Sequence, residues 1–280
     1  MAATNTTTKH NSLIKDQVAN MLVKPLESAS VVLAAGPTIF DSSAPLRIPR
    51  LDSSGTVGFV GEGEKIPDTY TASFSEIALM PAERKSLKII TRVTNELIRE
   101  SHMNVSAVLQ QRIVEDVRMK LDDALLNGTG SNDEITGIFQ QSGTQTATYD
   151  LKDPDTLLDA LAKCTAKEVT PSEWMFNAVD FYELRKVKDK GGRYLLQPDL
   201  TKGAKFILFG LPVTVSNKVP TGKACLLNMR EVAVVRDLDP TITILTEKYA
   251  DTDETGIRVV TRYDLGLMRP EGVVLMSKAA

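Results

Sequence analysis

The feature that most constrains this chain is a stretch of alternating apolar and polar residues at positions 71–93, TASFSEIALMPAERKSLKIITRV. A period of two is typical of half-buried β-strands, and it places Ile77 and Leu79 on one face. If residues 55–84 form two extended arms of about 14 residues each, the hairpin is about 45 Å long. A compact chain of this size has a radius of gyration of only about 19 Å. We therefore expect a second copy of the chain to cover the apolar residues of the hairpin.

A glycine-rich segment, GFVGEGEK at 58–65, lies near the tip of this predicted hairpin. A phosphate-binding loop would follow a buried strand and lead directly into a helix N-terminus. Here the glycines follow the order G-x-x-G-x-G, Pro67 stands where a helix would begin, and Glu62 and Glu64 would repel a phosphate. The segment therefore predicts a sharp chain reversal and not a nucleotide site.

The charge balance excludes several classes of function. The chain carries 33 basic and 36 acidic residues, for a net charge of −3, so it offers no general basic surface to nucleic acid or to an anionic membrane. No apolar run is long enough to span a bilayer, and the N-terminus lacks the pattern of a signal peptide. Cys164 and Cys225 lack C-x-x-C spacing, which predicts buried free thiols.

The sequence offers little catalytic chemistry. The two histidines, His10 and His102, have no candidate nucleophile or metal ligand near them in sequence, and no common catalytic motif occurs. Asp122 and Asp123 are adjacent on a predicted helix, where successive side chains point about 100° apart, so we interpret them as a solvated face. We therefore predict that the chain is not an enzyme and has no catalytic, cofactor-binding or metal site.

The clearest helix is predicted for residues 104–127, where apolar residues recur every fourth position and Gly128 is suited to a left-handed C-cap. The first fifty residues differ from the rest in composition, since they begin rich in Thr and Asn and end rich in Ser and Pro, and this composition predicts an arm. From about residue 150 short strands alternate with helices, which indicates a second domain. Within it, residues 205–220 predict two strands joined near Gly210, and the RDLDP segment at 236–240 predicts a turn.

Four basic residues follow the predicted hairpin at mostly even spacing, which places them on one face of a strand: Arg84, Lys85, Lys88 and Arg92. Two interpretations remain open. The charges guard an exposed sheet edge against uncontrolled strand pairing, or they meet acids at the hairpin tip of an adjoining subunit.

Six blocks of sequence follow one another in an order and spacing that match a known family: GFVGEGEKIPDTYTASFSEIALMP, RVTNELIRES, ALLNGTGSNDEITGI, FNAVDFYELRKVKDKGGRYLL, LFGLPVTVSNKVP and RYDLGLMRPEGVVLMS. Together they cover nearly the whole chain from residue 57 onward. In this combination the chain resembles the major capsid proteins of tailed bacteriophages, which have the Hong Kong 97 fold.

The resemblance implies an α+β fold with named parts: an N-terminal arm at 1–50, an extended β-hairpin loop at 51–92, a peripheral domain at 93–150 and 256–280 with a spine helix at 104–127, and an axial α/β domain at 151–255. It also implies two sets of contacts between subunits. The loop-tip set is Gly61, Glu62, Gly63, Glu64, Lys65 and Asp68, and the loop-base set is Arg84, Lys85, Lys88 and Arg92.

The implied function is self-assembly through pentamers and hexamers into an icosahedral shell, assembled in the host cytoplasm, that encloses double-stranded DNA without reading its sequence. Portal, scaffolding and decoration proteins are the implied partners. Because the arm begins almost at Met1, we expect scaffolding to come from a separate protein or a removed segment. An encapsulin-like cellular compartment with enzyme cargo is the alternative.

Some members of the family join a loop lysine covalently to an asparagine, with a glutamate assisting. Lys65 corresponds to the lysine, but residues 246–270 contain no asparagine, and Val260 stands at the position of the glutamate. The resemblance therefore implies a shell without covalent crosslinks.

Overall fold

Two β-sheets, a long helix and a separate two-stranded hairpin make up the described part of the chain. The structure is a computed structural model that describes residues 30–53, 59, 73–80, 86–96, 105–131, 134–188, 206–245 and 247–279. The α-helices are α1 Val31–Ala34, α2 Val105–Asn127, α3 Asp155–Ala166 and α4 Ala178–Arg185. The strands are β1 Thr38–Asp41, β2 Leu46–Ser53, β3 Ser73–Leu79, β4 Leu87–Thr94, β5 Gln145–Tyr149, β6 Glu173–Phe176, β7 Ile207–Leu208, β8 Leu211–Val215, β9 Lys223–Leu227, β10 Val232–Leu245, β11 Glu254–Leu267 and β12 Val274–Lys278.

The first sheet has four strands in the order β1-β10-β11-β4. Strands β10 and β11 run antiparallel over their full length, from the Val232–Leu267 pair to the Leu245–Gly256 pair. The turn predicted at residues 236–240 was wrong, because this segment lies inside β10. Shifts of register on either side of Leu238 form bulges there. A bulge accommodates Pro240, which has no N–H to donate to the neighbouring strand.

The second sheet has six strands in the order β5-β12-β9-β6-β8-β7. The strands of the two sheets are not grouped as the predicted domain segments are. Strand β10, from the predicted segment 151–255, belongs to the four-stranded sheet, whereas β12, from the predicted segment 256–280, pairs with β5 and β9 in the six-stranded sheet. Strands β11 and β12 therefore lie in different sheets, and the domain boundaries stay a prediction.

Helix α2 forms the spine of the largest core. Its apolar residues at four-residue spacing, Ile113, Val117, Leu121 and Leu125, are all buried, as the periodicity predicted. They pack with residues of β10 and β11 and also with residues of β6 and β9. The helix therefore joins the two sheets into one body.

Gly128 ends helix α2, but not through the predicted left-handed conformation, since it is absent from the residues with positive φ. Its N–H donates to the carbonyl of Ala124 at 3.0 Å. A Cβ atom at this position would lie 2.1 Å from the carbonyl oxygen of Ile135. The glycine is thus needed because another segment of backbone passes close to the helix end.

Candidate assembly surfaces

A two-stranded hairpin is present, and its paired arms are β2 and β3, of which only β3 lies within residues 55–84, where the hairpin was predicted. Their register runs from the Leu46–Leu79 pair to the Ser53–Ser73 pair, so the outgoing arm begins inside the segment predicted as the N-terminal arm. The side chains of β3 alternate as predicted, with Glu76 and Ala78 exposed and Leu79 buried. The loop-tip residues Gly61, Glu62, Gly63, Glu64, Lys65 and Asp68 lie outside the described residues.

Phe59 is the one described residue between the two arms, and its side chain is completely exposed. A large aromatic side chain buries much apolar area when it contacts another surface. Such burial contributes a favourable free energy of about 25 cal/mol per Å² of apolar area. Phe59 is therefore an exposed aromatic side chain in the segment that joins β2 to β3.

The base of the hairpin is covered by its own chain. Leu79 and Met80 form a small buried cluster with Ala233 and Val235 of β10, and Ile77 packs against it. The expectation that a second copy covers the apolar residues of the hairpin was thus wrong for the base. These side chains fit on one face of the four-stranded sheet because helix α2 occupies only the other face.

Two of the four loop-base residues lie within the described part of the chain. Arg84 and Lys85 lie outside the described residues, whereas Lys88 and Arg92 are exposed on β4 and share one face, as their even spacing predicted. Arg92 lies 4.0 Å from a carboxylate oxygen of Glu254, and its guanidinium carbon lies 4.5 Å from the centre of the Tyr249 ring. Strand β4 is an edge strand of its sheet, so both interpretations of this cluster stay open.

Val260 lies on β11 directly opposite Lys88 of β4. Its side chain is an aliphatic group with no proton to give or take. Position 260 therefore places an aliphatic side chain, and no carboxylate, on the strand beside Lys88.

A second apolar surface lies at the β7 end of the six-stranded sheet. Four large side chains are exposed there on α4 and on the β7–β8 hairpin: Val179, Tyr182, Ile207 and Phe209. The hairpin turn consists of Phe209 and Gly210, both with positive φ, which is the geometry of a two-residue type I′ turn. This confirms the predicted junction of two strands near Gly210. Beside the turn, Leu157, Leu184 and Phe209 line an apolar pocket of about 230 Å³.

Asp122 differs from its predicted role. Its side chain is 1% exposed, so the interpretation of Asp122 and Asp123 as one solvated face was wrong for Asp122. Its carboxylate accepts hydrogen bonds from the Ser30 hydroxyl at 2.6 Å and from the Val31 N–H at 3.1 Å, and it lies 3.6 Å from Arg118. Asp122 therefore ties the start of helix α1 to the spine helix, at the point where the N-terminal residues join the body.

The two thiols are buried, as predicted. Burial raises the pKa of Cys164 to about 11 and raises the pKa of Cys225 still further. Within the described ranges, no group of three or more His, Cys, Asp or Glu side chains could hold a metal ion. Among the same residues, no helix combines the length and apolar character needed to cross a membrane.

The comparison with known proteins gives the family. The model of the phage capsid family matches residues 11–278. The chain belongs to the phage capsid family. The match includes every described helix and strand of this phage capsid chain.

One relative of this phage capsid chain is the major capsid protein of Klebsiella oxytoca phage phiKO2, which is 23% identical over 297 aligned positions. The alignment covers 95% of the chain but 65% of that relative, so the chain spans about two thirds of its length.

Solved structures confirm the predicted α+β, Hong Kong 97-like fold. A chain from the capsid of the native GTA particle matches with a TM-score of 0.76 at 17% identity, covering 89% of this chain and 90% of that one. A chain from Mycobacterium phage Bobi matches with a TM-score of 0.72 at 16% identity, covering 99% and 100%. The geometry of the loop tip and of the N-terminal arm stays a prediction.

Proposed function

We propose that this chain is a major capsid protein that assembles with copies of itself into the icosahedral shell of a phage. The observation that carries the proposal is the match of the phage capsid family over residues 11–278. The hairpin supports it, because the end of β3 packs on the four-stranded sheet while the hairpin forms a separate two-stranded sheet of its own. Residues beyond the base of the hairpin are then available to adjoining subunits.

The shell is proposed to form from pentamers and hexamers, with each subunit contacting several neighbours. Contacts that are weak one by one add up across such a lattice. The net charge of −3 suits a container that confines double-stranded DNA without gripping it. Portal, scaffolding and decoration proteins are the proposed partners, the host cytoplasm is the proposed place of assembly, and the role is structural and not catalytic.

Assembly is tested directly by light scattering and electron microscopy of the purified full-length protein. We expect particles or capsomers far larger than a small oligomer. A stable monomer at every concentration would contradict the proposal. An encapsulin-like shell is separated from a phage shell by its contents, since only the former would enclose enzyme cargo on expression in a host.

The proposed contact between the loop tip and the loop base is tested by reversing charges. We expect Glu64→Lys and Arg84→Glu each to lower the yield of assembled particles, and the double variant to recover part of it, because the ion pair is restored with opposite polarity. The effect of each single change is modest, since exposed ion pairs contribute about 0–1 kcal/mol each. Equal yields from the single and double variants would contradict the contact.

A second prediction concerns covalent crosslinks. Boiling assembled particles in detergent should release only monomer, because Val260 stands where crosslinking relatives carry a glutamate and no asparagine lies in residues 246–270. Denaturing gel electrophoresis is the measurement. A ladder of covalent oligomers that resists boiling would show that another pair of residues forms the bond.

A further inference from the structure

The base of the hairpin packs against one face of the four-stranded sheet, where it contacts Ala233 and Val235. Residues 232–235 of β10 and 263–267 of β11 are buried throughout, which indicates that this part of the sheet is covered on both faces. On the face toward the hairpin, Ala233 lies directly opposite Gly266. These are the two smallest side chains, and they leave a shallow trough across two neighbouring strands.

Gly266 makes room for the hairpin. A Cβ atom at this position would lie 2.6 Å from the Cδ2 atom of Leu79 and 3.2 Å from the Cγ2 atom of Ile77. Carbon atoms in contact are normally about 3.5–4.0 Å apart. Gly266 is not among the residues with positive φ, so the backbone conformation would allow a side chain. A side chain at position 266 would therefore force Leu79 or the hairpin to shift, although the local backbone conformation would accept it.

Asp264 holds the end of the hairpin. It precedes Gly266 by two residues and therefore points to the same face of β11. One carboxylate oxygen accepts a hydrogen bond from the Met80 N–H at 2.8 Å, and the other accepts one from the Leu265 N–H at 2.9 Å. Asp264 is 5% exposed, and Met80 has the left-handed φ of 53°. The carboxylate thus stabilises the change of direction at the end of β3.

We propose that Ala233, Asp264 and Gly266, the hairpin socket, are positioning residues for assembly that set the direction in which the hairpin leaves the body. The proposal rests on the proposed function, because the direction of the hairpin matters only if its outer part meets another subunit. A paired arm of about seven residues is about 23 Å long. A displacement of about 1 Å at its base therefore becomes several ångströms at its outer end.

The socket is tested first in the unassembled full-length protein by measuring one distance. Spin labels are attached at Glu76→Cys on β3 and at Asp159→Cys on α3, both exposed positions, while the buried Cys164 and Cys225 stay unlabelled. We expect a single narrow distance in the parent protein. Gly266→Ala should shift it by about 1 Å, because the contact of 2.6 Å with Leu79 must lengthen to a normal carbon contact of about 3.5–4.0 Å.

A compensating change guards against simple misfolding. Leu79→Val shortens the side chain that a Cβ at position 266 would strike. The Leu79→Val, Gly266→Ala double variant should therefore return the label distance toward that of the parent. Return of the distance supports the socket, whereas a double variant displaced as far as Gly266→Ala alone would overturn it.

Asp264→Ala should broaden the label distance, because Met80 loses the acceptor of its N–H. Asp122→Ala is the matched control, since Asp122 is an equally buried acid that holds helix α1 and not the hairpin. It should leave the distance unchanged. Equal broadening by both variants would overturn the assignment, because it would reflect general loosening of the body.

Assembly is then measured by electron microscopy on the same variants without labels. Gly266→Ala and Asp264→Ala should lose most closed particles, and the Leu79→Val double variant should regain them. Normal particles from a variant with a displaced hairpin would overturn the proposal. If the parent protein itself forms no particles, the proposed function fails, but the label distances still decide whether the socket orients the hairpin.

Discussion

A variant in which residues 54–72 are replaced by Asn-Gly should fold normally and fail to form closed shells. Ser53 and Ser73 are the last cross-strand pair of the hairpin, so a two-residue turn joins the arms without changing their register. The base keeps its contacts with Ala233 and Val235, so we expect the melting temperature to stay within a few degrees of the parent. Assembly should be lost because the removed residues include the proposed loop-tip contacts and Phe59.

The control for this truncation keeps the length of the loop but removes its charged and apolar side chains. A Gly/Ser segment as long as the segment it replaces should also fold and also fail to assemble, because flexible linkers supply reach without specific contacts. Electron microscopy and melting curves are measured on all three proteins. Shells of normal diameter from the Asn-Gly variant would show that the hairpin tip is dispensable.

Replacing Asp122 by alanine should cause a large loss of stability. The Ser30 hydroxyl and the Val31 N–H lose their acceptor, and Arg118 loses a neighbouring carboxylate. Leaving buried polar groups unpaired in this way costs about 3 kcal/mol. At about 2–4 °C per kcal/mol, the melting temperature should fall by about 8 °C. Amides of helix α1 should also exchange faster with deuterium.

Asp123→Ala is the matched control, because Asp123 is adjacent in sequence and carries the same charge. Its side chain is 42% exposed, and its nearest cation, Lys120, lies 3.9 Å away. Losing such a pair costs about 0–1 kcal/mol. The test is the difference between the two melting temperatures, and equal losses would mean that the ties from Asp122 to helix α1 contribute little to stability.

The sequence predicted elements whose stability depends on neighbours within a few residues. The four-residue period in α2 and the two-residue period in β3 each appear in the structure with the predicted face buried. The hairpin turn at Gly210 was likewise visible from local residue types. Such patterns are reliable because helix and strand geometry fix which positions share a face.

Predictions that depended on distant partners failed in an equally clear way. The RDLDP segment that ends at Pro240 predicted a turn, but it lies inside β10. The bulges that accommodate the proline form in the pairing of β10 with β11, which the segment itself does not reveal. The pairing of β12 with β5 and β9 could not be predicted either, because the five residues of β12 carry no information about which distant strands lie beside them. The candidate loop-tip contacts came from a family resemblance, and they stay a prediction.

The sequence by itself determined the spine helix and the alternating face of β3 in this phage capsid protein, since periodicity is a local property, and its family resemblance indicated the α+β class. Only the tertiary structure decided that Asp122 is buried while Asp123 is half-exposed, and that Gly266 serves the close approach of Leu79. The physical reason is the same in both cases. The free energy of burying a side chain depends on which distant segment packs against it, and that segment is set by the fold as a whole.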